Sequence, residues 1–411
     1  MTMSSKPSPT QFDRRAVETL GDLAATGQMK VLKMIDGPMG PVISLRGIGD
    51  VLCFCSNNYL GLANHPEVVE AGIEGLRTYG AGTSSVRFIC GTFEPHERLE
   101  RRIASFLGVE AAYTFVSCWT ATEAVFPTLC EAGDMIISDE LNHACIIDAI
   151  RLTGAIKKGV HKGVYPHSDL AALRTVLEAA AANPDVTGQI WIITDGVFSM
   201  EGDVANLPGL RALCDEFSAM LVVDDSHGTG VLGETGRGTH EYWGIDPSRI
   251  DLFTGTLGKA LGGGAGGYVA GRAEAIELLV QRGRPTLFSN ALPTTVACSA
   301  EAAIRVLMEQ PELMERLRSN VAAARSGITE TGFDVLESPT AICPIIVGET
   351  ATAIEMSERL LAQSRVFVIG FGYPVVPEGT ARLRIQMSAA HEPEHIDQLV
   401  AALMELRSAT A

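Results

Sequence analysis

AMLVVDD (residues 219–225) is a run of five apolar residues that ends in two aspartates. Three other stretches share its form: MIISD (135–139), QIWIITD (189–195) and IDLFTG (250–255). A strand with one wet face alternates polar and apolar residues, whereas a strand covered on both faces reads as a short continuous apolar run. PEVVEAGIEGLRTYG (66–80) and HERLERRIASFLG (96–108) have helical spacing. Helical and strand patterns alternate from about residue 60 to 300, which predicts a doubly wound α/β domain with a mostly parallel sheet. Beyond it, EAAIRVLMEQPELMERLRSNVAAARS (301–326) reads as long helix. AICPIIVG (341–348), RVFVIGFG (365–372) and ARLRIQMS (381–388) then read as strands, and EPEHIDQLVAALMELRS (392–408) as a last helix. The expected division is an N-terminal segment 1–55, a large domain 56–297 and a smaller α/β domain 298–411.

Composition narrows the partners. Of 411 residues 46% are hydrophobic and 20% charged, an ordinary globular balance. The longest apolar runs fall short of the roughly 18–20 residues that span a bilayer, so no membrane span is expected. MTMSSKPSPTQFDRR (1–15) lacks the apolar core of a secretory signal, which predicts a cytoplasmic protein. Nine cysteines are scattered without a CxxC pair, so neither a zinc site nor a disulfide framework is expected. A net charge of −17 argues against nucleic acid as a partner. An anionic ligand would need local positive groups or helix N-termini.

DLFTGTLGKALGGGAGGY (251–268) places Lys259, the last lysine of the chain, among seven glycines, behind an apolar run and before a glycine tract that reads as flexible. A lone lysine past a strand end is ordinarily a surface charge. Here the apolar surroundings would lower the amine's pKa and suit it to a Schiff base with a carbonyl of cofactor or substrate. Two phosphate-loop readings fail. Gly258-Lys259-Ala260 lacks the Ser/Thr of a P-loop, and Phe253 stands where its first glycine belongs. Gly228, Gly230 and Gly233 match GxGxxG after a strand, but ETGRGTHEYWG (234–244) does not read as a helix. A nicotinamide-dependent oxidoreductase is thus a remote alternative. Asp224 and His227 stand three apart where a buried strand ends. They read as a turn carboxylate and a satisfied histidine, or as a buried carboxylate awaiting a cation. No further ligands at regular spacing point to a metal.

Asp224-x-x-His227 after a strand, followed by Thr256-Leu-Gly-Lys259-Ala, resembles the α-oxoamine synthases, pyridoxal-phosphate enzymes of fold type I. The similarity runs from SNNYLGLANHP (56–66) to RLRIQMSAAH (382–391). SVRFICGT (85–92), LNHACIID (141–148), TDGVFSM (194–200), GTLGKALGG (255–263) and YPVVP (373–377) resemble most the branch that uses glycine and acetyl-CoA. The resemblance implies a C-acyltransferase that condenses an amino acid with an acyl-CoA to an α-amino-β-keto acid or aminoketone. Another amino acid, or a longer acyl chain as in long-chain or natural-product members, is the nearer alternative. Retention of Lys259, Asp224, His227 and His143 argues against a silent partner subunit.

The resemblance also implies roles. Lys259 would carry pyridoxal phosphate and later take the Cα proton. Asp224 would face the ring nitrogen, His227 and Ser199 the phenolic oxygen, and His143 the ring face. Ser117, Cys118 and Trp119 at a helix start, with Thr256, would hold the phosphate. Ser289 would reach it from the other subunit, which implies a homodimer with shared active sites. Arg384 would take the amino-acid carboxylate, with Asn58 nearby. Arg382 shares its strand face, so that assignment could shift by two residues. Lys30, Lys33, Lys157, Lys158 and Lys162 are candidates for the phosphates of CoA. The chain departs from the family pattern at Trp119, Thr120, Thr122 and Glu123, beside the expected cofactor.

Overall fold

The four apolar runs form the middle of a seven-stranded sheet in the computed structural model, which describes residues 9–408. Numbered along the chain, β1 (Val42–Leu45) and β2 (Gly49–Cys53) precede it. The large sheet contains β3 (Ala111–Phe115), β4 (Met135–Asp139), β5 (His161–Tyr165), β6 (Ile190–Asp195), β7 (Met220–Asp224), β8 (Leu252–Thr256) and β9 (Gly267–Gly271). Their order is β3-β9-β8-β7-β6-β4-β5; the five from β8 to β5 are parallel, and β9 is antiparallel to both β8 and β3. This is the mostly parallel sheet that the apolar runs predict. Every residue of β4 and β6 is buried, as the unbroken apolar runs require.

Two strands escape that reading. β5, HKGVY, is the edge strand, and its side chains alternate in exposure. β9, GYVAG, lies inside the glycine tract that reads as flexible, yet it is buried throughout. A Cβ on Gly267 would lie 2.3 Å from the Cys118 nitrogen. The missing side chain lets β9 pass directly against the start of the helix Cys118–Leu129.

The remaining strands are β10 (Ile342–Gly348), β11 (Val366–Phe367), β12 (Ile369–Phe371) and β13 (Ala381–Gln386). β13 lies between β10 and β12, antiparallel to both, while β11 joins β2 in parallel. The run RVFVIGFG is therefore divided between two sheets, and strands from the N-terminal segment share a sheet with residues 366–367. The long helical stretch breaks at Pro311 into Thr294–Glu309 and Glu312–Glu330. Proline has no N–H to continue the first helix.

Residues 54–59 are stitched to the end of β13. Gln386 N donates to Phe54 O (2.8 Å), Ala389 N to Tyr59 O (2.7 Å) and Ser388 Oγ to Asn58 O (2.7 Å). Chain positions more than three hundred residues apart thereby form one wall.

A histidine clamps the opposite wall. His167 Nδ1 lies 3.1 Å from Asp139 Oδ1, and its Nε2 lies 2.9 Å from Asp203 Oδ2. Its ring packs edge-on to Phe198, the neighbour of Ser199, with centroids 4.4 Å apart. Burial acts to lower its pKa, but the two carboxylates outweigh that and raise it to about 10. A folded pKa above the unfolded value of about 6.5 gives stability that is complete below pH 6.5 and lost towards pH 10. His167→Gln leaves the buried Asp139 carboxylate without its cation and should cost about 3 kcal/mol at pH 6. Thermal unfolding from pH 6 to 10 should fall more steeply for the wild type than for the variant. Parallel curves would contradict the clamp.

Candidate active site

The carboxyl ends of the parallel strands and the start of the helix Cys118–Leu129 enclose a cavity of about 250 Å³. Asp195 ends β6 and Asp224 ends β7, opposite one another in register, and Thr254 on β8 faces Asp224. Lys259 follows β8 and reaches the same space from the turn beyond Thr256. Ligands collect at this edge in open α/β sheets because strand ends and helix starts converge there.

Asp224 is 3% exposed and accepts from Thr254 Oγ1 (2.8 Å) and Ser226 N (3.1 Å). No ammonium or guanidinium lies within salt-bridge distance of it among the described residues. A carboxylate so buried calls for a cation from a ligand. Asp195, which the sequence reading passed over, is also buried. Burial, and then Asp224, push its pKa well above the usual carboxylate range. Its Oδ2 accepts from His143 N at 3.0 Å, and so positions that histidine. The signal was present in QIWIITD, whose final residue matches the aspartate that ends AMLVVD.

Burial lowers the pKa of Lys259, against the opposing field of Asp224. A neutral amine is therefore accessible, as a nucleophile or as a base. His143 caps the helix Ala144–Ile156, and its Nδ1 accepts from Cys145 N at 3.2 Å. That fixes the ring plane at the cavity wall, and burial lowers its pKa. His227 is buried, and its pKa falls well below 6.5 through desolvation, then the Lys259 and Arg384 charges. Both imidazoles are neutral.

At the other end, Ser117 caps the helix Cys118–Leu129 by accepting from Thr120 N (3.1 Å). The N–H groups of Cys118 and Trp119 belong to its first turn, and Thr256 Oγ1 accepts from Gly258 N at 3.0 Å nearby. Helix N-terminal donors plus hydroxyls make a phosphate cradle. The unusual residues rework this turn. Thr122 Oγ1 donates to Cys118 O (3.0 Å), and Trp119 Nε1 donates to Glu123 Oε1 (2.9 Å), so the added carboxylate is tied to the indole.

A second cavity of about 690 Å³ shares His143, Ser199, His227 and Lys259 with the first and continues to Tyr373–Pro377 and Arg384. Arg384 is 7% exposed and has no carboxylate partner among the described residues. Its Nη1 donates to Ser199 O (2.9 Å), its Nη2 to Gln386 Oε1 (3.1 Å), and its Nε is buried without a partner. Arg382 is instead paired with Glu201 at 3.0 Å. Of the two strand arginines, Arg384 is the one left to take an anion.

Asn58 does not line either cavity. Its Oδ1 accepts from Ala63 N (3.1 Å) and caps the turn, whereas Asn57 faces the second cavity. Ser289 ends the short helix Arg284–Phe288, away from both cavities of its own chain. None of Lys30, Lys33, Lys157, Lys158 and Lys162 is on their walls; Lys33 pairs with Glu358 and Lys157 with Glu131. The GxGxxG glycines serve a turn. A Cβ on Gly228 would meet Asp225 Oδ1 at 2.1 Å, and Gly230 has φ +79° against Ala260. The next helix, Thr239–Tyr242, has four residues and is too short for a dinucleotide site.

The chain belongs to the class I and II aminotransferase family, which it matches over residues 49–403. Within that family its relatives are α-oxoamine synthases. The chain is 42% identical to the 2-amino-3-ketobutyrate coenzyme A ligase of Escherichia coli strain K12 over 400 residues, 96% of this chain and 97% of that one. It is 43% identical to the 8-amino-7-oxononanoate synthase of Symbiobacterium thermophilum, over 95% and 96% of the two chains. The Sphingomonas wittichii serine palmitoyltransferase structure superposes with a TM-score of 0.89 at 28% identity, covering 98% of each chain. The resemblance drawn from the motifs is borne out.

Proposed function

We propose that the chain is a pyridoxal-phosphate-dependent C-acyltransferase that joins an amino acid, glycine in the first instance, to an acyl-CoA, acetyl-CoA in the first instance. The single observation that carries this reading is the buried Arg384, with no carboxylate partner among the described residues, opening on a cavity that shares Lys259 with the one lined by Asp224. The residues fit pyridoxal phosphate: Ser117, the Cys118 and Trp119 amides and Thr256 suit its phosphate, Asp224 its ring nitrogen, and Ser199 and His227 its phenolic oxygen. When bound, it supplies an electron-accepting ring and an aldehyde. Lys259 would supply the amine that holds the aldehyde and, once free, the base for the Cα proton. Asp224 would keep a proton on the ring nitrogen, and His143 would cover the ring face. Arg384 orients the amino-acid carboxylate, which fixes which Cα bond faces Lys259.

The chain exposes apolar surface that a second copy would cover. The helix Gln11–Ala25 buries none of its residues and carries exposed Phe12, Val17 and Leu20. Phe88, Ile89 and Phe288 are also exposed, and Phe288 adjoins Ser289. Exposed apolar side chains of this kind are what a second copy could cover. The proposed assembly is a homodimer in which Ser289 completes the partner's phosphate site. No helix among the described residues is long and apolar enough to cross a membrane. The proposed location is the cytoplasm.

The test is a visible spectrum of the purified protein, followed by a screen of amino acids against acyl-CoAs of increasing length. Fastest turnover with glycine and acetyl-CoA supports the reading; a preference for a longer acyl chain replaces its substrate part. Arg384→Lys keeps the charge but loses the planar fork, so KM for the amino acid should rise about 10- to 100-fold, with a smaller fall in kcat as the Cα bond is held less firmly. An unchanged KM would remove Arg384 from the site.

A further inference from the structure

Four buried side chains link the two cavities. Arg384 Nη2 donates to Gln386 Oε1 at 3.1 Å. Gln386 Nε2 lies 2.6 Å from Asn57 Oδ1 and 2.7 Å from Tyr59 Oη. Tyr59 Oη lies 2.8 Å from His227 Nδ1. Tyr59 and Gln386 are each 1% exposed, and His227 and Arg384 each 7%.

We propose that Gln386 and Tyr59 are positioning residues that polarise this chain from Arg384 to His227 and hold His227 as the Nε2–H tautomer, its donor turned to the ligand cavity.

The polarity follows from the donor inventory. A guanidinium only donates, so the Gln386 oxygen must face Arg384 and its NH₂ must face Asn57 and Tyr59. Both amide hydrogens are thereby used. The Tyr59 oxygen accepts from Gln386, and its own proton is left for His227 Nδ1. Burial pushes the Tyr59 pKa up to about 12, so the proton stays on the phenol. His227 is neutral, and its Nδ1 is occupied as an acceptor, so its one N–H is Nε2–H. Nε2 has no partner in the chain among the described residues, and the ring lines the cavity beside Lys259. The opposite tautomer would turn the Tyr59 proton onto the Gln386 NH₂ or leave it without an acceptor in the relay.

What Nε2–H donates to rests on the functional reading: an anionic oxygen on the bound ring. The relay itself does not rest on it, because every group belongs to the chain. Asn57 and Tyr59 come from the SNNYLGL segment and Gln386 from β13, joined by the hydrogen bonds that pin residues 54–59 to the strand end.

The experiment is long-range ¹H–¹⁵N spectroscopy of the full-length protein, purified with its cofactor and labelled with ¹⁵N-histidine. The His227 signal is assigned by its loss in His227→Gln. The wild type should show the proton on Nε2. Gln386→Glu reverses the polarity: the carboxylate accepts from Tyr59, whose oxygen then accepts from His227, so the proton should move to Nδ1. Tyr59→Phe should leave a mixture of tautomers. Both variants should lose about 10- to 100-fold in kcat. In Tyr59→Phe, KM for the amino acid should hold, since Arg384 is untouched. A wild-type proton on Nδ1, or a tautomer indifferent to Gln386→Glu in a variant that folds, overturns the proposal. If Gln386→Glu does not fold, the wild-type tautomer and Tyr59→Phe decide. A protein without a cofactor absorption band fails the functional reading, while the tautomer result stands by itself.

Discussion

Lys259→Ala should abolish turnover, with a loss of about 10⁴-fold or more, because in the proposed reaction one side chain would supply both the covalent link and the proton transfer. Burial already lowers its pKa, and no second amine lines the cavity among the described residues, so the covalent link has no substitute there. Lys162, the preceding lysine of the chain, lies on the edge strand β5. Borohydride treatment followed by peptide mapping should label the peptide that contains residue 259 in the wild type and none in the variant. The phosphate cradle is built by other residues, so the variant should still bind pyridoxal phosphate noncovalently. A labelled peptide elsewhere, or retained turnover, would refute the assignment.

Asp224→Asn should lower kcat by about 10³-fold, close to 4 kcal/mol of charge stabilisation removed from a buried site. The amide keeps the size of the carboxylate; its oxygen can accept from Ser226 N and its NH₂ can donate to Thr254 Oγ1, so the strand end should survive. Its charge is gone, and with it the means to keep a ring nitrogen protonated, at about 1.4 kcal/mol per pKa unit. Removing the anion also lowers the Lys259 pKa further, since Asp224 is what raises it. The pH at which activity appears should therefore move downward while its plateau falls. Stopped-flow and steady-state kinetics across pH distinguish these two effects. A plateau equal to the wild type would show that the aspartate does not face the ring.

How much of this was readable beforehand differs by element. β4, β6, β7 and β8 were legible because strands covered on both faces must be apolar throughout. β5 was not, because an edge strand carries polar residues, and β9 was not, because glycines needed for its close approach to Cys118 imitate a loop. The GxGxxG match was one of form only, as the lack of a following helix already indicated; its glycines let a turn close around the buried Asp225.

The site divides in the same way. Lys259, Asp224, His227 and the Ser117 cap were marked by chemistry that is local in sequence: a strand end, a helix start, an amine in apolar surroundings. Arg384 could not be told from Arg382 until β13 was placed, because two-residue alternation puts both on one face and only the fold supplies Glu201 to one of them. Asn57, Tyr59 and Gln386 carried no such mark. Sequence alone determined the sheet, the family and the residues at its strand ends, since burial and backbone periodicity act over a few neighbours. The walls of the substrate cavity and the proton positions within it were decided by tertiary structure, where hydrogen bonds join segments more than three hundred residues apart.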